Sequence, residues 1–211
     1  MSGALQAVFR NLRSFGPPAI GGAFGGGFYA GQISTAGNGI ADYNLVVGPV
    51  ASAQSTLKWK LVNTSTAGTS SVINGPTNSS NMNDATHPAA QFCEAVTAGG
   101  FTDWYMPAKN ELEVCYYNLK PTTTSNNTSS GINANAVPAR ASNYTAGTPT
   151  QTSATDFQST GAEDFSVTKD YWSSTENSAT NGSLQYFSTG SQFSLNKNYS
   201  YNVRAIRRVA V

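Results

Sequence analysis

An α+β domain is the fold class this sequence predicts, on three observations. Two helical windows each open on a proline, at Pro88 and Pro107. Short runs with β-type alternation, punctuated by Asn, Gly and Ser, lie on both sides of them. The polar positions are mostly neutral: there are 20 Asn and 20 Gly, while charged residues make up 11% of the chain, against about 25% in an ordinary soluble domain. Asn, Ser, Thr and Gly hydrogen-bond locally and favour turns. Ten Tyr, ten Phe and three Trp supply the apolar area of a real core. Disorder would pair low hydrophobicity with high net charge, and 12 cationic against 11 acidic residues leave only +1.

Taken in order, residues 4–15 place Leu5, Val8, Phe9 and Leu12 at helical spacing. A helix this short is marginal alone, so residues 1–20 are expected to form an anchoring arm ahead of a head at residues 21–211. Pro17 and Pro18 end the arm, and a glycine-rich run from Gly21 to Gly31 follows. That run lacks the Lys-Ser/Thr and the strand–loop–helix setting of a phosphate loop. Close backbone approach between strands or subunits accounts better for its glycines. Tyr43–Val50 and Leu57–Val62 read as strands, and residues 63–84 as a polar loop or pair of turns.

The helices are expected at about 88–98 and 107–119. Phe92, Cys93 and Val96 line one, which Gly99-Gly100 stops; Leu112, Cys115, Tyr116 and Leu119 line the other, which Pro121 stops. Thr122–Thr160 is too long for an ordinary connection and reads as a surface excursion pinned at Val137, Tyr144 and Phe157. Tyr171-Trp172, Leu184–Ser188, Gln192–Leu195 and Tyr201–Val209 supply the closing strands.

Several function classes recede. Arg204, Arg207 and Arg208 form the only basic cluster, short of the stripe a nucleic-acid binder uses. No apolar run reaches the roughly 18–20 residues that span a bilayer, and Met1–Phe15 lacks a signal peptide's layout. Cys93 and Cys115 fit no zinc spacing and are expected as buried, reduced thiols; no metal and no cofactor is expected. His87 reads as a helix-start cap or an exposed residue rather than a catalyst. Glu111 and Glu113, two apart on a helix, face differently and so form no paired-carboxylate site. Glu163, Asp164 and Asp170 read as solvated loop acids.

Three blocks in order carry the specific signal: GGFTDWYMPAKNELEVCYYNL from Gly99, YWSSTE from Tyr171 and YNVRAIRRV from Tyr201. The series resembles the Legionella-collagen-like C-terminal domain family, built on the C-type-lectin-like fold and related to the formylglycine-generating-enzyme architecture. Gly100, Asp103, Trp104, Met106, Pro107, Glu111 and Leu112 match its first motif, Tyr171–Thr175 the second, and Tyr201, Val203, Arg204, Ile206 and Arg207 the third. The resemblance implies two helices against short, twisted, mainly antiparallel strands. Arg204 and Arg207 are expected to pair with Asp103, Glu111 or Glu176 in the scaffold. The calcium-binding tripeptides of the sugar-binding lectins are missing, and so is the late cysteine pair of the formylglycine-generating enzymes.

The opening residues resemble the leader of this domain in tailed-bacteriophage virion proteins. The resemblance therefore implies a non-enzymatic virion protein, made in the host cytoplasm and displayed on a tail fibre, tail tip or capsid surface, that binds a host-surface glycan or protein. A capsid decoration or cement protein without a host ligand is the alternative, and an oxidase of the formylglycine type a third. The apolar arm, with Phe24, Phe28 and Tyr29, implies contact with other virion proteins and a homo-oligomer, a trimer on a fibre. No nucleic acid and no membrane insertion is expected. The candidate ligand face follows the YWSST strand. With Leu184, Tyr186 and Leu195 in the core, Asn177, Asn181, Gln185, Phe187, Gln192, Asn196, Asn198 and Tyr199 are expected to point outward. The excursion is the rival site.

Overall fold

Two five-stranded sheets and four short helices make up the computed structural model, which describes residues 16–211. The expected anchoring residues Leu5, Val8, Phe9 and Leu12 lie outside the described residues. The first sheet runs in the order β1 (Ala23–Phe24), β2 (Gly27–Ile33), β3 (Tyr43–Val47) and β10 (Ile206–Ala210), with β5 (Ala136–Val137) added on β2. The second runs β4 (Gln54–Lys58), β9 (Ser200–Arg204), β6 (Asp170–Glu176), β7 (Asn181–Tyr186) and β8 (Gln192–Asn196). Every strand pairing is antiparallel except β6 with β9, which meet in parallel at Tyr171 and Asn202. The class is α+β, as the sequence predicts.

The last strand run joins the sheets. β9 belongs to one and β10 to the other, with Ala205 between them donating its N–H to Ala53 and accepting from Gly48. The glycine run makes close strand approach: a Cβ on Gly27 would collide with the Val47 carbonyl across the β2–β3 pair.

Helix bounds differ from expectation for local reasons. Besides α1 (Val50–Ala53), the region expected as loop holds α2 (Gly75–Ser80), where the Asn74 side chain accepts from the Thr77 N–H and Pro76 sits in the first turn. α3 (Pro88–Glu94) stops four residues early. Gly99 and Gly100 take φ of +65° and +79°, so the chain turns through a 3₁₀ turn at Ala98–Gly100. α4 (Lys109–Leu119) starts two residues late, because Ala108 is extended and caps the helix while Glu111 accepts its N–H at 2.8 Å. β4 lies upstream of the expected strand: Trp59 leaves the sheet and donates its indole N–H to the Ser173 carbonyl at 2.9 Å.

Two apolar clusters form the core. α4 packs against β2 on one side and β6 and β7 on the other, burying Leu112, Cys115, Tyr116 and Leu119 with Ile33, Leu45, Tyr171 and Phe187. α3 closes the second cluster, around Trp59, Trp104, Trp172, Met82, Cys93 and Val203. Both cysteines are free and buried. The excursion is held by buried Tyr144 and Phe157 and by the pairing of Val137 with Gln32. None of the described helices is long and apolar enough to cross a membrane.

The arginines of the closing strands bind the scaffold. Arg207 meets Asp103 with two hydrogen bonds of 2.7 and 2.8 Å, as expected. Arg208, for which the sequence suggested no partner, pairs with buried Glu111 at 2.8 Å. Arg204 corrects the expectation: its partner is Glu163, at 2.6 Å, so Glu163 is no solvated loop acid. It ties the segment just after the excursion to the sheet junction, and the guanidinium also donates to the Gly48 and Glu163 carbonyls.

Removing one partner of a buried pair strands the other charge and typically costs about 3–5 kcal/mol. Arg204→Ala should therefore lower stability by about 3 kcal/mol or more in urea unfolding; a loss below about 1 kcal/mol would contradict this role.

Candidate ligand-recognition surface

The eight residues expected on an outward face separate in space. Gln185 and Phe187 point inward. Strand β7 lies between β6 and β8, and the excursion with α4 covers the face that strand alternation leaves open. Gln185 faces the Tyr144 hydroxyl and the Gly190 carbonyl, while Phe187 stacks on Phe165 with centroids 3.9 Å apart. Gln192 sits beside the excursion, its N–H donated to Ser130 Oγ. The other five collect at one end of the second sheet.

That end, the tip, consists of three loops. The turn 177–181 has the Asn177 and Ser178 N–H groups on the Asn181 carbonyl, and Asn177 Nδ2 donates to Ser194 on β8. Asn196, Asn198 and Tyr199 form the turn from β8 to β9. The loop after Trp59 lies alongside, with Asn63 Oδ1 accepting the Asn198 N–H at 3.1 Å. On its outside the tip exposes Leu61 (49%), Val62 (53%) and Tyr199 (50%). The side-chain oxygens of Asn181 and Asn198 are buried and meet no donor among the described residues. Sequence reading missed Leu61 and Val62. The signal was LKWKLV, in which two lysines bracket the tryptophan.

Those loops are held from beneath by lysines. Lys197 is wholly buried, and its ammonium donates to the Thr64 and Ala179 carbonyls at 2.9 Å each and to the Glu176 carboxylate. It lies 4.6 Å over the Trp59 ring. Lys60, also buried, donates to the Thr64 and Ser65 carbonyls and to Thr66 Oγ1, at 3.2, 2.8 and 2.9 Å. Glu176 accepts in addition from the Thr66 N–H and from Thr69 Oγ1. The expected exposed or capping role of His87 is not what forms. The ring is buried against Trp59, with Nε2 on Thr66 Oγ1 at 2.9 Å and Nδ1 on Asp84 at 2.9 Å.

Electrostatics follow from this packing. Burial pushes the Lys197 pKa down, against the pull of Glu176. Burial also raises Glu176, but hydrogen bonds from Lys197 and the Thr66 N–H outweigh it and hold the carboxyl below its ordinary range. The Thr86 hydroxyl, with His87, lowers Asp84 to about 2. A carboxylate with a depressed folded pKa contributes stability above its unfolded value, near 4, and loses it as pH falls through the folded one. The melting temperature should drop on acidification from about pH 5 to about pH 2, and less steeply in Glu176→Gln. Parallel profiles for the two proteins would contradict the role of Glu176.

The rival region, the excursion, is concave. Two open clefts of about 300 and 340 Å³ flank its 145–151 turn and meet at Tyr117 and Thr148.

A comparison with curated proteins finds no match to this chain. The sequence model of the Lcl C-terminal domain matches residues 48–207, which include the first two ordered blocks, the third as far as Arg207, and both the tip and the excursion. With more than half of its length matched, the chain belongs to the Lcl C-terminal domain family.

Proposed function

We propose that this protein is a non-enzymatic recognition module that binds a host-surface glycan or protein through the tip of its second sheet. In the same reading it is a tailed-phage virion component, on a tail fibre, tail tip or capsid surface. Residues 1–20 anchor it to other virion proteins, as one subunit of a homo-oligomer. One observation carries the recognition role: Leu61, Val62 and Tyr199 stand exposed on loops whose backbone is fixed by two buried ammonium groups. A rigid aromatic and aliphatic anchor loses little entropy on binding. Asn196 beside it offers both a donor and an acceptor to sugar hydroxyls or peptide groups.

Membership in a family of C-terminal domains supports a module that is displayed by a neighbouring element. The cysteines support the non-enzymatic reading. Cys93 and Cys115 are buried in different core clusters, and burial raises both thiols above their ordinary pKa, the condition of unreactive rather than catalytic cysteine. The decoration role remains the second reading.

The test uses the fluorescently labelled, purified protein on a printed glycan array and on a panel of intact bacterial cells. Tyr199→Ala combined with Leu61→Ser and Val62→Ser should cut saturable binding at least about tenfold. The melting temperature should stay within about 2 °C, since none of the three side chains is in the core. Undiminished binding by the triple variant would remove the tip as the site, and no binding by the parent protein on any surface would favour decoration.

A further inference from the structure

The excursion holds a second site whose chemistry differs from that of the tip. Its two clefts, of about 300 and 340 Å³, fall at the small end of the ~300–1,000 Å³ range of small-molecule sites. They adjoin at Tyr117 and Thr148, which line both, and together are termed the trough. In the first cleft the Arg140 guanidinium stacks over the Tyr117 ring, 4.0 Å from its centroid, so that two stacked planar groups line the wall. The rim carries the exposed side chains of Ser142, Asn143 and Thr148. The second cleft continues past Thr150 and Gln151 to Ile20.

Charge decides what such a trough takes. Arg140 is the only ionic side chain among the described residues that line the two clefts, and its guanidinium is paired with Glu113, which is fully buried beneath it. Glu113 is held there by two further donors, the Tyr144 hydroxyl at 2.6 Å and Asn133 Nδ2 at 2.5 Å. The trough is therefore close to neutral and lacks the desolvated apolar pocket on which peptide recognition is commonly anchored. Hydroxyl and amide groups around these planar groups, in two adjoining compartments of sugar size, suit an uncharged carbohydrate chain that places one ring in each.

We infer that this trough is a binding site for a neutral oligosaccharide, independent of recognition at the tip. Arg140 and Tyr117 line its wall, Asn143 and Thr148 bond the sugar hydroxyls, and Glu113 cancels the charge that would otherwise select an anion.

Calorimetric titration of the full chain tests it, with maltotetraose, cellotetraose, xylotetraose and N-acetylchitotetraose as probes and tetragalacturonate as the charged counterpart. At least one neutral probe should bind saturably, with affinity unchanged between about 50 and 500 mM salt. Asn143→Ala and Tyr117→Ala should each weaken binding about tenfold, and Tyr199→Ala should leave it unchanged. Thr148→Trp, a rim substitution at the junction of the clefts, should block binding without touching the core, and so covers the case in which Tyr117→Ala misfolds. The proposal is overturned if no neutral probe binds, if only tetragalacturonate binds with steep salt dependence, or if binding survives Thr148→Trp. Loss on Tyr199→Ala with retention in Asn143→Ala would likewise overturn it.

Discussion

Six long cationic side chains end on backbone carbonyl oxygens of loops. Arg204 reaches Gly48 and Glu163, Arg207 reaches Gly25, Arg208 reaches Ile73, Lys60 reaches Thr64 and Ser65, Lys120 reaches Thr124 and Pro149, and Lys197 reaches Thr64 and Ala179. A fold with this much irregular chain has many carbonyls that no helix or sheet satisfies, and an unpaired buried carbonyl is costly. An ammonium brings three donors and a guanidinium five, on stems long enough to reach a loop from a strand. Six of the ten basic residues among the described residues are used in this way.

The arrangement explains why the sparse charge of the chain is so seldom exposed. Moving an ion into the interior is unfavourable unless several oxygens surround it. Here each buried cation has carbonyl acceptors, and four of them also have a carboxylate: Glu163, Asp103, Glu111 or Glu176. The same contacts set loop shape. Lys197 alone draws together the loop after Trp59 and the turn at 177–181, which carry much of the tip. Outside, the surface proposed for recognition presents Tyr, Leu, Val, Asn and Thr, so the proposed recognition is short-ranged and depends on shape and hydrogen bonding rather than on attraction at a distance.

Much of this architecture was legible from the sequence. The prolines at 88 and 107 locate both longer helices, and apolar spacing names the buried face of the second. The buried thiols follow from sequence reading, as does a scaffold carboxylate for Arg207, with Asp103 one of three candidates. Other features depend on contacts that no local pattern encodes. Glu163 finds Arg204 across 41 residues of chain, and its own neighbourhood looks like any acidic loop. Period-two alternation in β7 correctly puts Leu184 inside, yet it turns Gln185 and Phe187 outward because it assumes one solvated face. The excursion covers that face, and its Asn, Thr and Ser content gives no sign that it does. His87 misleads for the same reason: its position before Pro88 is that of a cap, and only the fold brings Trp59 and Thr66 against the ring. Of the candidate ligand face, Tyr199 is exposed at the tip, Asn198 has its side-chain oxygen buried, and Leu61 and Val62 needed the lysine network to place them there.

Amide hydrogen exchange on Lys197→Met tests the central claim, that buried cations fix the loops, most directly. Methionine keeps most of the side-chain volume and removes the three donors. Amides that lie in the loops Lys197 joins, at Thr64, Thr66 and Asn181, should lose protection selectively, while those of β3 and α4 keep theirs. Unchanged protection in those loops, or an even loss across the whole molecule, would contradict the claim that this ammonium sets their local structure.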